Sequence, residues 1–406
     1  MFNFNSYSSL LLIGCMQALV FSIILGVRRR REERLHDLFA SLILLVGGLY
    51  AAQWMLGFAG WYDDQDWRST IMFYIEWDHL AALGPLIWLY FRALTNTDFR
   101  WERKYWLHLL PAVAFTILPI AFTLYDFIIH ALLGGNVFEG FGGSRGPAME
   151  FKHTNSVMDI LDSFEDVFAR IQLPVYLVFT LKEYRKYRTY VANQFANGTE
   201  YFLQGLRILL YIFLIGIGLA FFSELFAVLS GINSYSDVWP RYFAISILMY
   251  AAAIQFYRLD ARQTRQLRFE PKPESSEREE PPADLDRWVS KLEKQLATHQ
   301  DYLEPDLKLA DLADRIGVNT SVMSKVINAH YEMNFNDLIN ARRCDAFMAR
   351  LQNGEHQQHT LLSLALDSGF NSKSTFNRAF RKQYGYSPGQ AVKELASNDD
   401  LARPKP

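Results

Sequence analysis

Residues 360–388 read TLLSLALDSGFNSKSTFNRAFRKQYGYSP, and apolar residues recur there at helical spacing on both sides of a glycine. Gly369 can adopt the positive φ of a tight turn, and Ser372 can cap the helix that follows. Gly385 can end that helix, and Ser387 with Pro388 can begin another. The pattern predicts a helix-turn-helix unit whose inner positions are Leu362, Ala365, Leu366, Phe376, Ala379 and Phe380.

A second stretch upstream, residues 307–335, has the same arrangement and reads LKLADLADRIGVNTSVMSKVINAHYEMNF. Gly317 can form the turn, and Asn319 can cap the second helix. The predicted inner positions are Leu309, Leu312, Ala313, Ile316, Met323, Val326 and Ile327. In both units the outer side chains are short hydrogen-bonding groups and cations, which suit base edges and phosphates.

These residues resemble the AraC/XylS family of bacterial transcription regulators. GFNSKSTFNRAFRKQYGYSP at 369–388 is similar to the family signature, and LADRIGVNTSVMSKVI at 312–327 is similar to its partner helix pair. The resemblance covers roughly Leu285 to Leu395. It implies two recognition helices joined by a long helix at about Asn336–Leu351, and these would enter successive major-groove segments of double-stranded DNA about 34 Å apart.

The resemblance also implies which side chains contact DNA. They are Ser321, Ser324 and Lys325 in the first unit, and Lys373, Ser374, Thr375, Asn377 and Arg378 in the second. Ala391 departs from the family, which usually has an aromatic residue there, so looser packing is expected. The acidic residues at the start of the domain, Asp301, Glu304, Asp306, Asp311 and Asp314, predict modest non-specific affinity because the phosphate contribution scales with basic contacts.

The chain before this region is apolar and rich in aromatic residues, although the whole sequence averages 50% hydrophobic and 21% charged with a net charge of -2. A helix needs about 20 residues to cross the hydrocarbon core. Seven candidate spans are predicted, with six or eight as alternatives. They lie at Leu10–Val27, Leu38–Gly60, Ile71–Leu94, Leu107–Phe127, Val157–Leu181, Ile208–Leu229 and Tyr242–Tyr257.

Basic and non-basic loops alternate between the spans, which predicts orientation because Lys and Arg stay on the cytoplasmic side. The basic clusters are Arg28–Arg34, then Arg100, Arg103 and Lys104, then Lys182, Arg185, Lys186 and Arg188, and finally Arg258 and Arg262. We expect a multi-pass protein of the bacterial inner membrane, with the N-terminus outside and the C-terminal domain in the cytoplasm. The first span has its arginines after it, the reverse of a cleavable signal peptide.

The fold class is therefore all-α, a polytopic helix bundle followed by a double helix-turn-helix domain. The predicted boundaries are a sensor-like transmembrane domain at 1–261, a flexible cytoplasmic linker at 262–284, the DNA-binding domain at 285–396 and a disordered tail at 397–406. Prolines among charged residues indicate the linker. Cys15 and Cys344 lie in regions of opposite polarity, and a disulfide between them is not expected.

Acidic groups near the outer ends of the spans predict a signal pocket, since charges within a bilayer are costly and tend to be functional. The candidate residues are Glu76, Asp78, His79, Asp126, His130, Asp159, Asp162, Asp166 and Glu224. Arg170 could pair with one carboxylate, and Trp54, Trp61, Trp67 and Trp77 could rim the mouth. A cationic or polar ligand would fit such a pocket; the alternative is that these groups only reach toward the interface while the tryptophans form an interfacial belt.

The sequence thus predicts a membrane-embedded, sequence-specific transcription regulator that couples an external or membrane signal to promoter binding. The signal acts either by changing helix packing, which the last span transmits through the linker, or by bringing two chains together as a homodimer. No cofactor and no metal are expected, because His79 and His130 lack a tight ligand spacing. No catalytic motif was found, so an enzyme is not expected. The alternative is a transporter or channel-like protein with a regulatory helical cytoplasmic domain, which should show broken helices in repeated halves.

Overall fold

A computed structural model describes residues 5–32, 35–63, 66–75, 77–96, 99–129, 132, 145–197, 204–231, 235–259, 269 and 284–402. Over these residues the regular structure is helical, as the all-α fold class predicts, and the extended backbone includes one isolated bridge between Phe195 and Lys308. The chain forms two compact units, one of residues 1–184 and 203–268, the other of residues 185–202 and 269–406.

The first unit contains the apolar helices. They are α1 (Ser6–Glu32), α2 (Leu35–Phe58), α3 (Trp67–Tyr74), α4 (Leu83–Thr95), α5 (Trp106–Leu124), α6 (Pro147–Thr154), α7 (Ser156–Gln194), α8 (Gln204–Ser230) and α9 (Tyr235–Arg258). The final turns of α7, from Arg185 onward, belong to the second unit. Helix α1 packs on α2 and α9, α2 packs on α4, and α8 packs on α9.

Four helices in the described part of the chain are long and apolar enough to cross a membrane. They are Ser6–Arg31, Leu35–Phe58, Arg103–Ile128 and Gly205–Ser230, and they coincide with the first, second, fourth and sixth predicted spans. The fifth and seventh predicted spans fall within α7 and α9, which are 39 and 24 residues long. The predicted number of seven spans stays a prediction.

The third predicted span, Ile71–Leu94, is not one continuous helix. Helix α3 ends at Tyr74, Ile75 is extended, and a short 3-10 helix at Leu80–Ala82 precedes α4. Asp78 accepts a hydrogen bond of 2.9 Å from the Leu80 backbone N–H. A short acidic side chain that binds its own backbone in this way competes with helical hydrogen bonding, which accounts for the break.

The second unit contains seven helices in its described residues after position 284. They are α10 (Leu285–His299), α11 (Leu309–Ile316), α12 (Thr320–Tyr331), α13 (Phe335–Gln352), α14 (Leu361–Asp367), α15 (Lys373–Tyr384) and α16 (Pro388–Ala402). The long helix α13 contributes Leu338 and Ile339 to a cluster with α10, α11 and α12. Farther along, Phe347 and Leu351 join a separate cluster with α14, α15 and α16. Helix α13 thus joins two helix-turn-helix units, and its bounds agree closely with the predicted 336–351.

Three local predictions differ from the structure. Leu362 and Leu366 are exposed, whereas Leu364 and Ala365 are the buried residues of α14. Helix α16 continues to Ala402, past the boundary predicted at 396. Residues 185–197, predicted as part of the transmembrane domain, cluster with the second unit. Of the predicted linker at 262–284, only Phe269 and Asp284 lie within the described residues.

Candidate nucleic-acid interface

The first helix-turn-helix unit has the predicted turn and cap. Gly317 follows α11 with a φ of 76°, a left-handed conformation that costs a glycine little. The Asn319 side chain accepts a hydrogen bond of 2.8 Å from the Val322 backbone N–H at the start of α12. All seven predicted inner residues, from Leu309 to Ile327, are buried. The buried inner face of α12 therefore holds the predicted recognition helix in place.

The second unit is built in the same way. Gly369 has a φ of 91°, and the Ser372 hydroxyl accepts a hydrogen bond of 3.3 Å from the Thr375 backbone N–H at the start of α15. Phe376 and Phe380 are buried on one side of α15, and Gly385 ends the helix with a φ of 82°. Both caps and all three turn glycines are confirmed.

Most of the side chains predicted to contact DNA lie away from the core. Ser321, Lys373, Ser374 and Arg378 are exposed, and Ser324, Lys325 and Asn377 are partly exposed. Thr375 differs, because it is only 4% exposed and its hydroxyl lies 2.9 Å from the Ser372 hydroxyl. Thr375 thus supports the cap, and the other seven residues are available to a ligand.

The acidic start of the domain is partly neutralised by Arg315. This guanidinium bonds the Asp301 carboxylate at 2.6 Å and the Glu304 carboxylate at 2.8 and 2.9 Å. Hydrogen bonds to Glu304 and Asp301 raise the pKa of Arg315. Asp311 accepts from the Lys308 backbone N–H at the start of α11. These carboxylates have structural partners, so they oppose DNA phosphates less than the sequence suggests.

Arg343 lies at the middle of α13 and is fully buried. Its guanidinium donates to the backbone carbonyls of Tyr302 at 2.6 Å and Glu304 at 2.7 Å, and to the Asn197 side-chain oxygen at 2.9 Å. Burial lowers the pKa of Arg343 to about 10, so the group is still protonated at neutral pH. The cation is held by neutral acceptors, which ties α13 to the loop before α11.

Asn197 belongs to the short segment 195–197, which follows α7 and forms part of the second unit. Phe195 pairs with Lys308 in the isolated bridge, and the Ala196 N–H donates to the Leu307 carbonyl at 3.1 Å. The Asn336 side chain donates to the Ala196 carbonyl at 2.6 Å. Ala196 is fully buried in the cluster formed by α10 to α13. No local sequence pattern marks this segment, because its partners lie far away in the chain.

A half-open cavity of about 930 Å³ lies between the end of α7 and the domain. One side carries Arg185 and Arg188, and the other carries Arg378 and Lys382 of α15. Residues of α13, Asn336 and Asn340 among them, contribute to the remaining lining, in which polar side chains are interspersed with alanines and Met333. The cavity therefore includes one of the predicted DNA-contacting residues.

A separate cavity in the first unit contains part of the predicted signal pocket. It has a volume of about 390 Å³ and is lined by Asp78, Lys152, Asp159, Asp162, Ser163, Glu165, Asp166 and Ala169. Arg170 pairs with Asp166 at 3.1 Å, as predicted. Four of the nine candidate residues are brought together, and the sequence missed Lys152 and Glu165 as members of this cavity.

The other candidate pocket residues lie elsewhere. Asp126 is buried and accepts from the Tyr74 hydroxyl and from two backbone N–H groups at the start of α6. Glu224 pairs with Arg241 at 2.8 Å. His79 does not line the cavity. Glu76 and His130 lie outside the described residues.

The four tryptophans do not rim this cavity. Trp61 and Trp77 are buried in a hydrophobic cluster of the first unit, Trp54 stacks on Tyr242 at 3.7 Å, and Trp67 packs edge-on against Trp61 at 5.5 Å. Among the residues that the structure describes, no group of three or more His, Cys, Asp or Glu side chains could hold a metal ion. Both cysteines are buried free thiols.

The comparisons with known proteins identify the C-terminal region. Residues 312–394 match the family model described as a helix-turn-helix domain, which is of the AraC type. No match was found among curated proteins or among solved structures. The match begins within α11 and ends within α16, so it spans both helix-turn-helix units. This region is a double-stranded DNA-binding domain of a transcription regulator.

Proposed function

We propose that the protein is a membrane-embedded transcription regulator that binds promoters in response to an external or membrane signal. The observation that carries this proposal is that one chain contains a helix-turn-helix domain at 312–394 and, within its described residues, four helices long and apolar enough to cross a bilayer. An isolated apolar helix of this length is stable in lipid because its backbone groups are satisfied internally. DNA reading and membrane attachment are then properties of one polypeptide.

The DNA-binding domain lies in the cytoplasm of a bacterium, and the chain spans the inner membrane with its N-terminus outside. Arg28 to Arg31 at the end of α1, the basic residues before α5 and those at the end of α7 support this orientation. A domain on the opposite side would have no access to the chromosome. DNA binding and orientation are therefore linked parts of the proposal.

Two recognition helices in one domain are sufficient for one binding site, and a homodimer would place two such domains on adjacent sites. Tethering in a membrane raises the effective concentration of the second domain. A signal that brings two chains together would thus increase promoter occupancy without altering either domain.

Genome-wide mapping of DNA bound by the tagged, membrane-retained protein tests the function. We expect discrete promoter peaks that depend on Lys373 and Arg378, because both are exposed on α15 and are predicted to contact DNA. The double variant K373A/R378A is compared with K291A/K294A, which removes two exposed lysines from α10. Peaks that are absent in the wild type, or unchanged in K373A/R378A, would contradict the proposal.

The acidic cavity of the first unit is the proposed signal site, and a cationic ligand suits it. Among the described residues, the lining contains one basic side chain, Lys152, against the five carboxylates of Asp78, Asp159, Asp162, Glu165 and Asp166. A reporter fused to a mapped promoter can be screened with polyamines and cationic peptides. For a cation that changes transcription, D162N/D166N should reduce the response by at least about tenfold, whereas E150Q, an exposed carboxylate of α6, should not. An unchanged response in D162N/D166N would show that this cavity is not the signal site.

A further inference from the structure

The last turns of α7 are held firmly against the DNA-binding domain. Residues 195–197 form a bridge with the chain before α11, bury Ala196 in the core and supply the Asn197 oxygen to the buried Arg343. Asn336 of α13 adds donors to the carbonyls of Phe195 and Ala196, at 3.1 and 2.6 Å. Because the segment follows α7 directly, these contacts fix where α7 ends on the domain.

Arg185 and Arg188 lie on these last turns and are exposed. They are three positions apart in the sequence, so helical geometry places them on the same face. Tyr187 and Tyr190, on the same turns, pack against Phe269 with ring centroids 5.4 and 5.7 Å apart. The packed aromatic residues keep one face of the helix buried, and the two arginines face the cavity on another.

The charge around this cavity is positive. In the part of the chain that the structure describes, its lining contains the basic residues Arg185, Arg188, Arg378 and Lys382 and one acidic residue, Asp337. Asp337 pairs with Lys382 at 2.7 Å, so its charge is compensated locally. The other lining side chains are mainly Asn, Thr, Gln and Ala. A polyanion that approaches α15 would thus meet cations from two elements, one of them outside the helix-turn-helix domain.

We propose that Arg185 and Arg188 of α7 contact backbone phosphates of the DNA that α15 reads. The proposal rests on the proposed function and deepens it, since it extends the DNA-binding surface to a helix that begins in the apolar part of the chain. Phosphate contacts do not distinguish sequences, but they position the protein on the duplex. Arg378 lines the same cavity, so one DNA strand can run past α15 and reach the end of α7.

The salt dependence of binding tests the proposal directly. Full-length protein in lipid nanodiscs is titrated with a DNA fragment recovered from a mapped promoter peak, at several salt concentrations. The slope of log K against log salt changes by about 0.9 for each phosphate that a basic side chain no longer neutralises. We expect R185Q/R188Q to make the slope less steep by about 1.8 and to weaken binding at 0.1 M salt by at least about tenfold.

The variant K291Q/K294Q is the control, because it removes the same charge from exposed positions on α10. It should leave the slope within error of the wild type. Hydrogen exchange of the Asn336–Arg343 segment verifies that residues 195–197 stay docked in each variant. If R185Q/R188Q binds like the control, the two arginines do not contact DNA. If it binds more tightly, the end of α7 obstructs the duplex, and the proposal is equally overturned.

Failure of the proposed function gives a different result. In that case the wild type itself would bind the fragment no better than unrelated DNA, and R378Q would have no effect. Loss of binding in R378Q together with wild-type behaviour in R185Q/R188Q would instead retain the proposed function and reject only the contribution of α7.

Discussion

At the residue scale, Arg343 is a fully buried cation whose guanidinium links α13 to Tyr302 and Asn197. The caps Asn319 and Ser372 and the turns at Gly317 and Gly369 were predictable, because each depends on neighbours within a few residues. The contacts of Arg343 could not be predicted from its neighbours in the sequence. Its partners include Asn197 and the carbonyls of Tyr302, Glu304 and Pro305, which only the tertiary fold brings near α13. The burial of a cation at the middle of a helix can be recognised only from the three-dimensional structure.

Replacement of Arg343 should destabilise the domain far more than replacement of its neighbour. R343M leaves the carbonyls of Tyr302 and Glu304 and the Asn197 oxygen without their donor, and we expect a loss of about 3 kcal/mol. R342M removes only a half-exposed ion pair with Glu293, worth under about 1 kcal/mol. Hydrogen exchange of α13 in the full-length protein measures both as local opening free energies. Equal effects of the two variants would contradict this account of Arg343.

Cys344 should be chemically inert while the domain is folded. The thiol is fully buried, and burial raises its pKa to about 12. A thiol reacts as the thiolate, so the reactive fraction at pH 8 is on the order of one part in ten thousand. In a C15A background, iodoacetamide at pH 8 should modify Cys344 only after denaturant is added, as measured by mass spectrometry. Rapid modification of the folded protein would show that the site is open.

At the element scale, the two turn glycines have similar backbone conformations but different surroundings. A Cβ on Gly369 would lie 2.7 Å from the Tyr302 carbonyl oxygen and 2.9 Å from Arg343 Nε. A Cβ on Gly317 would meet nothing within 4 Å. The turn of the second unit is therefore packed against the loop before α11, whereas the turn of the first unit faces open space.

This difference predicts unequal effects of alanine at the two turns. G317A should cost about 1 kcal/mol, the penalty of a left-handed conformation for a residue with a Cβ. G369A should cost more than about 3 kcal/mol, because the clash with backbone adds to that penalty. Hydrogen exchange of α12 and of α15 reports the two losses separately. A G369A protein as stable as G317A would contradict the packing at this turn.

The inner face of α14 illustrates a limit of periodicity. The run LLSLAL is mostly apolar, so more than one helical face fits the pattern. The prediction placed Leu362, Ala365 and Leu366 inside. Ala365 is buried as predicted, but Leu362 and Leu366 are exposed, and Leu364 joins Ala365 in the cluster that contains Phe347 and Phe376. Ala391 is buried in the same cluster, where Tyr384 and Tyr386 pack alongside it. In α11 and α15, where polar residues separate the apolar positions, the predicted core was correct.

At the scale of the whole molecule, composition predicted two different parts of the chain, and the spacing of the apolar residues predicted that both are helical. It could not place the border between them, because the segment 195–197 lies between two apolar helices and yet completes the core of the DNA-binding unit. The hydropathy pattern also predicted one span across α3 and α4, because hydropathy does not detect the break in the helix at Asp78. Helix α7 supplies four carboxylates of the acidic cavity, and local spacing predicted three of them, Asp159, Asp162 and Asp166. Asp126 and Glu224, which were predicted to belong to the same pocket, have structural partners elsewhere.

Sealed membrane vesicles of defined orientation test the central claim most directly. Inside-out and right-side-out vesicles containing the full-length protein are incubated with sheared genomic DNA, and the retained fragments are sequenced. Our account predicts that inside-out vesicles retain a discrete set of promoter fragments, that K373A/R378A abolishes their enrichment, and that right-side-out vesicles retain none. Enrichment of the same fragments on right-side-out vesicles, or no enrichment on either kind, would contradict it.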